Sequence, residues 1–286
     1  MRTVAIIQGR MSSSRLPGKV LLDIAGQPMI KHVIERTKRA RTLDAVTVAT
    51  TTDPFDDPIA AFAVSIGIPC TRGSLHDVLD RYYRAAQIHQ ADVIVRITAD
   101  CPVIDPTLID EVVKTVIEPA PFLGLSSPVD FSCNRLPPPF TRSFPIGLDV
   151  EVCTFTALER AWKESTEIFH REHVMPFIYE GVNLSLDTPH LARGISPRGF
   201  RIAQLNHAPD YGSLRWTVDT PEDLAFIREI FSRLGENPLK GGKPDFTWYD
   251  VLKIVQNEPE LAKINAKIRH KTMTETDHRV SKTRKI

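Results

Sequence analysis

Short apolar segments and amphipathic segments alternate through the first half of the sequence, and no other feature constrains the fold as strongly. The apolar runs, such as TVAIIQ at residues 3–8, are typical of parallel strands buried on both faces. The segments between them carry apolar residues at helical spacing. This alternation predicts an α/β fold with a mixed, mostly parallel central sheet and helices on both faces. The predicted strands are residues 3–8, 45–50 and 92–98, and the predicted helices are residues 29–40, 57–67, 74–90 (with Ser74 as N-cap) and 106–117.

The second half of the sequence is less regular. Prolines cluster between Glu118 and Phe144, which indicates a linker, a lid or the boundary of a subdomain. Beyond this region the alternation returns, and the last predicted helix closes or straps the domain. The predicted strands are residues 147–155, 198–206 and 213–220, and the predicted helices are residues 156–165, 221–234 and 248–268.

The overall charge gives little indication of a macromolecular partner. The 286 residues are 42% apolar and 25% charged, as in an ordinary globular protein, and the net charge of +1 favours neither nucleic acid nor membranes. The charge is uneven, however. Residues 263–286 contain eight Lys or Arg and two acidic residues, a net of +6, which leaves −5 for the rest of the chain. We predict that the last residues of this stretch, TETDHRVSKTRKI at 274–286, form a mobile, solvated tail, with contact to RNA or anionic lipid as the alternative.

The cysteines and the N-terminus favour a cytoplasmic protein. Four cysteines lie far apart and form no CxxC pair, which favours reduced thiols over a disulfide framework or a zinc knuckle. There is no charged leader followed by a long apolar run, and no stretch approaches membrane-spanning length. His170 and His173 are three residues apart, but no third zinc ligand lies near them in the sequence.

The loop after the first strand is strongly basic. GRMSSSRLPGK at residues 9–19 contains Arg10, Arg15 and Lys19 with three serines and no acidic residue. Backbone N–H groups and cations converge at such a strand end, which favours a phosphate site over a surface turn with scattered charges. The spacing is neither that of a Walker A loop nor that of a Rossmann fingerprint.

Two aspartates follow predicted strands. Asp100 lies in RITADCP, and Asp219 lies in LRWTVDTPEDL. An aspartate at the carboxyl end of a strand near a cationic loop is suited to bind Mg²⁺, although a plain Asx turn explains Asp100 equally well. If the two strands are near neighbours, both aspartates flank one ion. Two carboxylates beside three cations are what phosphoryl and nucleotidyl transfer require.

The opening segment RMSSSRLPGKVLLDIAGQPMI closely resembles the N-terminal signature R-x-x-S-x-R-L-P-x-K of the superfamily of CMP-Kdo synthetases and acylneuraminate cytidylyltransferases. Within it, further segments resemble the spore-coat polysaccharide cytidylyltransferase-like branch, in order from about residue 3 to 235. The departure is Gln8-Gly9, where the best-known members have Pro-Ala or Gln-Ala before the arginine. The further segments are DDPIA, RGSLHDVLDRYYRAA, VRITADCPVIDP, GLDVEV, REHVMPFI and LRWTVDTPEDL.

The resemblance implies a GT-A-like nucleotidyltransferase fold over residues 1–245. About 118–185 would form an acceptor and dimerisation region with a lid, and 246–286 a C-terminal helix and a basic tail. It implies an enzyme that uses CTP and Mg²⁺ to transfer CMP to a hydroxyl of a Kdo- or nonulosonate-like sugar acid, releasing pyrophosphate, for surface polysaccharide biosynthesis. It also implies a homodimer, because relatives place their dimer contacts in the region equivalent to residues 140–180.

The resemblance also assigns site residues by position. Lys19 would neutralise charge as pyrophosphate leaves, and Asp100 and Asp219 would bind Mg²⁺. The acceptor hydroxyl would attack the α-phosphorus, with Asp219 or a water molecule on the ion taking its proton. The implied catalytic residues are Lys19, Arg15, Asp100 and Asp219, and the implied CTP-binding residues are Gln8, Gly9, Arg10, Ser14, Arg15, Lys19, Arg72, Gly73, Ser74, Asp77 and Ala99.

Base and acceptor recognition are expected in separate segments. Arg72 and Ser74 can hydrogen-bond a cytosine edge, while Ser74 and Asp77 are also suited to capping the next helix. A carboxylate or phosphate of the acceptor suits an arginine, and its hydroxyls suit carboxylates. Ion pairs of Arg171 and Glu172 on the surface or at a dimer interface are the alternative for that segment. The predicted acceptor-binding residues are Arg142, Asp149, Glu151 and Arg171.

Three other functions remain open at this point. The first is a CTP-dependent transferase acting on a sugar phosphate, an alditol phosphate or a phosphonate. The second is a GT-A glycosyltransferase, which would need a D-x-D motif where this chain has ADCP at residues 99–102. The third is a non-catalytic nucleotide-sensing scaffold, which the presence of Lys19, Asp100 and Asp219 in one chain disfavours.

Overall fold

The computed structural model describes residues 1–118, 121–122, 125–126, 129–137, 140–235 and 245–269. Parts of the predicted lid and the predicted basic tail from residue 270 onward lie outside these ranges. The described strands, in chain order, are β1 (Thr3–Gln8), β2 (Asp23–Ile24), β3 (Gln27–Pro28), β4 (Ala45–Thr51), β5 (Cys70–Gly73), β6 (Val93–Thr98), β7 (Pro121–Phe122), β8 (Leu125–Ser126), β9 (Phe131–Cys133), β10 (Glu151–Thr154), β11 (Ser185–Thr188), β12 (Leu191–Ile195) and β13 (Arg201–Leu205).

The described helices flank these strands and include two short 3₁₀ turns, Lys19–Leu21 and Pro54–Asp56. The α-helices are α1 (Met29–Thr37), α2 (Asp57–Ser65), α3 (Val78–Ile88), α4 (Pro106–Ile117), α5 (Phe155–Glu164), α6 (Ile168–His173), α7 (Pro176–Tyr179), α8 (Pro221–Gly235), α9 (Trp248–Asn257) and α10 (Glu260–Lys263).

In the part of the chain that the structure describes, nine strands form one sheet in the order β11-β12-β13-β9-β10-β6-β1-β4-β5. Strands β5, β4, β1 and β6 are mutually parallel, and β10 runs antiparallel between β6 and β9. Because the four parallel strands end at the same edge, the loops that follow them meet there. This edge carries the basic loop after β1 and the Asp100 loop after β6.

Helices cover both faces of the sheet, as the alternation predicted. Alternate residues of β1 point to opposite faces. Ala5 and Ile7 join the core formed with α1, α4, α8 and α9, whereas Val4 and Ile6 join the core formed with α3, α5 and α7. The burial of β1 on both sides explains why its sequence reads as a continuous apolar run. The predicted fold class is confirmed.

Three local predictions are wrong. Residues 213–220 do not form a strand: Trp216 donates its N–H to the carbonyl of Ile146, and Val218 to that of Asp100, so the segment runs beside two loops. Ser74 is not the cap of α3, because Asp77 accepts the N–H of Asp80 instead. The long last helix is interrupted at Pro259, where α9 gives way to α10.

The C-terminal helix α9 is part of the main core. Trp248, Val251 and Leu252 are buried in the same cluster as the strands of the parallel half. One carboxyl oxygen of Asp105 accepts the N–H of Thr107 at 2.8 Å at the start of α4, and the other accepts the N–H of Trp248 at 2.7 Å. This buried carboxylate therefore ties α9 to the sheet edge that carries the basic loop.

The cysteines are unpaired and the described helices are short. All four cysteines are free thiols, so no disulfide framework is present. Among the described residues, no helix combines the length and the hydropathy needed to cross a bilayer.

Candidate active site

Lys19 lies at the centre of the site, at the end of the basic loop. Its side chain is buried, and its ammonium group donates to the Asp100 carboxylate at 2.7 Å and to the Asp219 carboxylate at 2.8 Å. It also donates to the carbonyl oxygen of Val218 at 2.8 Å. An ammonium group has three donors, and here each has its own acceptor. The basic loop, the Asp100 loop and the segment that contains Asp219 therefore meet at the ammonium nitrogen of Lys19.

The charge of Lys19 is retained in spite of its burial. Burial alone lowers the pKa of an amine, but attraction to Asp100 and Asp219 outweighs it, and the pKa of Lys19 is raised. The lysine therefore remains protonated when substrates bind. A fixed ammonium group at this position is suited to stabilise negative charge that develops during a reaction.

Asp219 contacts three cations. One of its oxygens accepts from Lys19, and the other lies 2.8 Å from both Arg15 and Arg215. Burial by itself raises the pKa of Asp219, but attraction to Lys19, then to Arg15 and Arg215, holds it well below its ordinary value. A carboxylate held ionised in this way is a weak base. The arrangement therefore disfavours Asp219 as the group that takes the acceptor proton.

Two residues of this cluster were not identified from the sequence. Asp223 accepts two hydrogen bonds from the guanidinium of Arg215, at 2.8 and 2.9 Å, and is fully buried. Asp223 also accepts the N–H of Thr220 at 3.1 Å and donates its own N–H to the Thr220 hydroxyl at 3.3 Å. This is a capping box at the start of α8, and the sequence T-P-E-D carried the signal for it.

The basic loop approaches the Asp100 loop closely. The carbonyl of Gln8 accepts the N–H of Ala99 at 2.8 Å, and a Cβ on Gly9 would lie 3.0 Å from the Cβ of Ala99. Among the described residues, the buried side-chain oxygen of Gln8 is one of those that lack a hydrogen-bond partner. Unpaired buried oxygens are costly unless a ligand or water pairs them. Gln8 is therefore placed to accept from a ligand at this edge.

The start of the basic loop is held by an aspartate that the sequence reasoning missed. Asp56 is buried and accepts the N–H of Met11 at 2.7 Å and the N–H of Thr51 at 3.2 Å. Asp56 is the last residue of the 3₁₀ turn Pro54–Asp56 and the first residue of the motif DDPIA. That motif was the signal for it in the sequence. Arg10, which precedes Met11, is half-buried, and Ser14 is exposed.

The predicted base-binding segment begins inside β5, which ends at Gly73. Arg72 donates to the carbonyls of Thr51 at 2.8 Å and Asp53 at 3.0 Å, and pairs with Asp57 at 2.6 Å. A Cβ on Gly73 would lie 2.7 Å from the Cγ of the buried Arg81, so only glycine fits there without a shift. Arg72 thus holds the loop after β4, and Gly73 keeps the backbone close to Arg81.

The predicted acceptor residues lie in three different pairs. Arg142 and Asp149 form a two-pronged ion pair, one of whose contacts is 3.1 Å. Glu151 is buried and pairs with its cross-strand neighbour Arg96 on β6. Arg171 donates to Asp77, a predicted CTP-binding residue, and to the carbonyl of Trp162 at 2.7 Å.

The carboxylates of Asp100 and Asp219 fit a divalent cation. Each gives one oxygen to the Lys19 ammonium group, so the two carboxylates lie side by side at this lysine, and the oxygens that Lys19 does not use are the ones left for a metal. Mg²⁺ is typically held by one or two carboxylates together with phosphate and water oxygens. Within the described ranges, no group of three His, Cys, Asp or Glu side chains could hold a metal. The remaining ligands would therefore come from a phosphate substrate and water.

Sequence comparison places the chain among nucleotide-using enzymes. A family model described as Cytidylyltransferase matches residues 4–239. An uncharacterized protein of Methanocaldococcus jannaschii, MJ1063, is 32% identical over 97% of this chain and 100% of its own. The spore coat polysaccharide biosynthesis protein SpsF of Bacillus subtilis is 28% identical over 90% of this chain and 95% of its own. A 3-deoxy-manno-octulosonate cytidylyltransferase of Geobacter sulfurreducens is 39% identical over 43% of this chain and 49% of its own.

Solved structures agree with this placement. A cytidylyltransferase from Leptospira borgpetersenii superposes with a TM-score of 0.76 at 28% identity, covering 94% of this chain and 100% of its own. The CMP:2-keto-3-deoxy-manno-octonic acid synthetase complexed with CTP has a TM-score of 0.56 at 20% identity, covering 82% of this chain and 99% of its own. At that identity the second likeness shows the fold alone.

Proposed function

The chain belongs to the cytidylyltransferase family, and on that basis we propose that it transfers CMP from CTP to a hydroxyl group of a Kdo- or nonulosonate-like sugar acid. The reaction would release pyrophosphate, require Mg²⁺ and serve surface polysaccharide biosynthesis. The observation that carries the proposal is the junction of Lys19, Asp100 and Asp219 at one ammonium group. It puts a cation for the leaving phosphates directly beside two carboxylates suited to a metal.

The basic loop would hold the triphosphate. Arg15 pairs with Asp219 through an exposed part of its side chain, so it can exchange this partner for a phosphate. Lys19 would stay in place and meet the charge that develops on the bridging oxygen between the α- and β-phosphorus. When Mg²⁺ is bound to Asp100 and Asp219, it supplies charge neutralisation and orients the phosphates.

The chemical step would need no covalent enzyme intermediate. The acceptor hydroxyl oxygen forms a bond to the α-phosphorus as the bond from that phosphorus to the bridging oxygen breaks. Pyrophosphate departs with the bonding electrons, and the hydroxyl proton passes to a solvent water. The residues' contribution is positioning and charge neutralisation, which are the main requirements of phosphoryl transfer.

The acceptor class is taken from the relatives and from the ion pair of Arg142 with Asp149. One relative is a 3-deoxy-manno-octulosonate cytidylyltransferase and another is a spore coat polysaccharide biosynthesis protein. Arg142 could exchange Asp149 for the carboxylate of a sugar acid, since both partners form the same two-pronged contact. Asp149 would then accept from a sugar hydroxyl and Arg171 would lie on the acceptor side, whereas the buried Glu151 would keep its partner Arg96.

Pyrophosphate release tests this proposal. Each of the four nucleoside triphosphates is combined with Mg²⁺ and with a panel of sugar acids, sugar phosphates, alditol phosphates and phosphonates. We expect release with CTP and a sugar acid, its loss in Lys19→Met, and its retention in Lys31→Met, which changes a half-buried lysine of α1 that donates to Gln27. Release with a phosphate acceptor only would replace the acceptor class. Absence of release with every acceptor, together with consumption of a nucleotide sugar, would overturn the proposal.

We further propose a cytoplasmic homodimer formed through residues 140–180. The proposal is taken from the resemblance, and Ile168 at the start of α6, which lies within this region and is exposed, is the residue that the test changes. Three of the four free thiols are buried, which suits a reducing compartment. Sedimentation equilibrium should give a dimer for the wild type and a monomer for Ile168→Glu, whereas a monomeric wild type would contradict the proposal.

A further inference from the structure

We infer that Asn265, through Arg215 and Asp223, positions Asp219 for metal binding. Asn265 follows α10 and lies beyond residues 4–239, the part of the chain that the family model matches. This inference rests on the proposed function, because it concerns the carboxylate that would bind Mg²⁺. Asn265 is a positioning residue, since its side chain reaches Asp219 only through two other residues.

Asn265 is anchored in the interior of the protein. Its side chain is 2% exposed, and its amide nitrogen donates to the carbonyl of Arg215 at 3.0 Å and to the Asp223 carboxylate at 2.9 Å. An amide –NH₂ group has two donors, and both are used. Because the two acceptors belong to different ends of the 215–223 segment, one side chain holds both ends of that segment.

Arg215 and Asp223 pass this constraint to Asp219. Arg215 contacts Asp223 through two hydrogen bonds and donates to the side chain of Asp219 at 2.8 Å. Asp223 in turn accepts the backbone N–H of Asp219 at 3.0 Å. Asp219 is therefore fixed at its backbone by Asp223 and at its carboxylate by Arg215. A planar guanidinium held in two-pronged contact has little freedom to reorient.

The contact of Arg215 with Asp219 becomes important when Arg15 leaves Asp219 to bind a phosphate. Arg15 and Arg215 share one oxygen of Asp219, but they differ in what else holds them. Arg15 belongs to the basic loop and can move to a phosphate, whereas Arg215 is buried and tied to Asp223. Arg215 therefore keeps Asp219 oriented in the state in which a metal would bind. Residues that orient a metal ligand commonly change metal affinity or activity by about 10- to 100-fold when they are lost.

Packing alone does not hold this network. A cavity of about 170 Å³ lies against Arg215 and Asn265, and Trp216, Phe226 and Ile268 also line it. Without the hydrogen bonds of Asn265, the segment has room to shift toward this space. The hydrogen bonds of Asn265 therefore help to hold Arg215 on the side that faces this space.

Three variants test the inference. Asn265→Leu keeps the branching at Cγ but cannot donate a hydrogen bond. Asn265→Asp keeps the shape but turns an oxygen toward the Asp223 carboxylate and the Arg215 carbonyl. Leu261→Ala is the control. Leu261 is a buried core residue of α10, four positions before Asn265, and has no part in the network.

Two measurements are made on each full-length protein. The first is the Mg²⁺ concentration for half-maximal pyrophosphate release at saturating CTP and acceptor. The second is Mg²⁺ binding by calorimetry in the presence of a CTP analogue with a methylene between the α- and β-phosphorus, which does not depend on turnover. Thermal melting reports whether each variant is folded, and Arg215→Lys, which keeps the charge but loses the two-pronged contact, serves as a second disruption.

We expect both Mg²⁺ constants to rise about 10- to 100-fold in Asn265→Leu, and further in Asn265→Asp, with a smaller change in the KM for CTP. Leu261→Ala should lower the melting temperature without this rise. An active wild type with unchanged Mg²⁺ constants in Asn265→Leu and Arg215→Lys would overturn the inference alone, as would a milder effect of Asp than of Leu at position 265. A wild type that neither binds the analogue nor releases pyrophosphate would overturn the proposed function, and the inference with it.

Discussion

Lys19 and Asp219, 200 positions apart in the sequence, meet in a salt bridge of 2.8 Å at the carboxyl edge of the parallel strands. Around this pair, the cations Lys19, Arg15 and Arg215 face the carboxylates of Asp100, Asp219 and Asp223. Three positive and three negative charges balance. This cluster is therefore neutral and internally paired before any ligand binds.

This balance predicts that CTP and Mg²⁺ bind cooperatively. A triphosphate alone meets cations that already have partners, and a metal alone meets carboxylates that already have partners. Together they favour one rearrangement, in which Arg15 moves from Asp219 to a phosphate and the metal takes its place at the carboxylate, while Lys19 and Arg215 stay where they are. Calorimetry of each ligand with and without the other should show at least about a 10-fold increase in affinity, which corresponds to a coupling of about 1.4 kcal/mol. Equal affinities in the two experiments would contradict the paired arrangement.

Replacement of Lys19 by Met should affect activity more than folding. Loss of a fixed charge that stabilises the transition state costs about 100- to 1,000-fold in kcat. The variant also leaves Asp100 and Asp219 facing each other without the ammonium group, which lowers stability, and Mg²⁺ should restore part of it. Pyrophosphate-release kinetics and thermal melting with and without Mg²⁺ measure the two effects. An active Lys19→Met enzyme would remove Lys19 from the catalytic group.

Acid should weaken the fold through Asp219. Its pKa in the folded protein is held below the ordinary value of 3.8, so its contribution to stability is present above that value and is lost as the pH falls below about 4. The difference in free energy of unfolding between wild type and Asp219→Asn should be on the order of 2 kcal/mol at neutral pH and should shrink in acid. Urea denaturation at several pH values measures it. A difference that does not change with pH would contradict the assignment.

Substitution of Glu151 should mainly lower stability, whereas substitution of Asp149 should mainly weaken acceptor binding. Glu151→Gln leaves Arg96 without its buried partner, which destabilises by about 3 to 5 kcal/mol. Asp149 is more exposed, so Asp149→Asn should cost about 1 kcal/mol or less and should mainly raise the KM for the acceptor. Urea denaturation and acceptor kinetics on both variants test this. The reverse pattern would place Glu151, and not Asp149, against the acceptor.

Much of the fold was predictable because its signal is local. The buried strand β1 and the amphipathic helices on its two sides appear as apolar runs and helical spacing. The short strand β5 was not predicted, since Cys70–Gly73 has only four residues and ends in glycine. Residues 213–220 look like a strand because Leu214, Trp216 and Val218 alternate with polar residues. They hydrogen-bond to loops instead, which depends on the tertiary structure.

In the site, too, the residues with a local sequence signal were predictable, and the contacts that depend on the tertiary structure were not. Lys19, Asp100 and Asp219 follow apolar segments in recognisable motifs, so they were predictable as separate candidates and the structure shows their junction. The pairing of Glu151 with Arg96 depends on the register of β10 against β6, which no local pattern specifies. The role of Asn265 likewise depends on a contact with a segment far away in the chain.

The most direct test of the central claim is phosphorus NMR of the product formed from CTP, Mg²⁺ and a Kdo- or nonulosonate-like sugar acid. A CMP transferase acting on a hydroxyl must give a product with one phosphorus atom between cytidine and sugar, together with free pyrophosphate, and Lys19→Met must give neither. A product with two phosphorus atoms between cytidine and the acceptor, formed only from a sugar phosphate, would contradict the proposed acceptor class. Unchanged CTP with every acceptor would contradict the transfer of CMP itself.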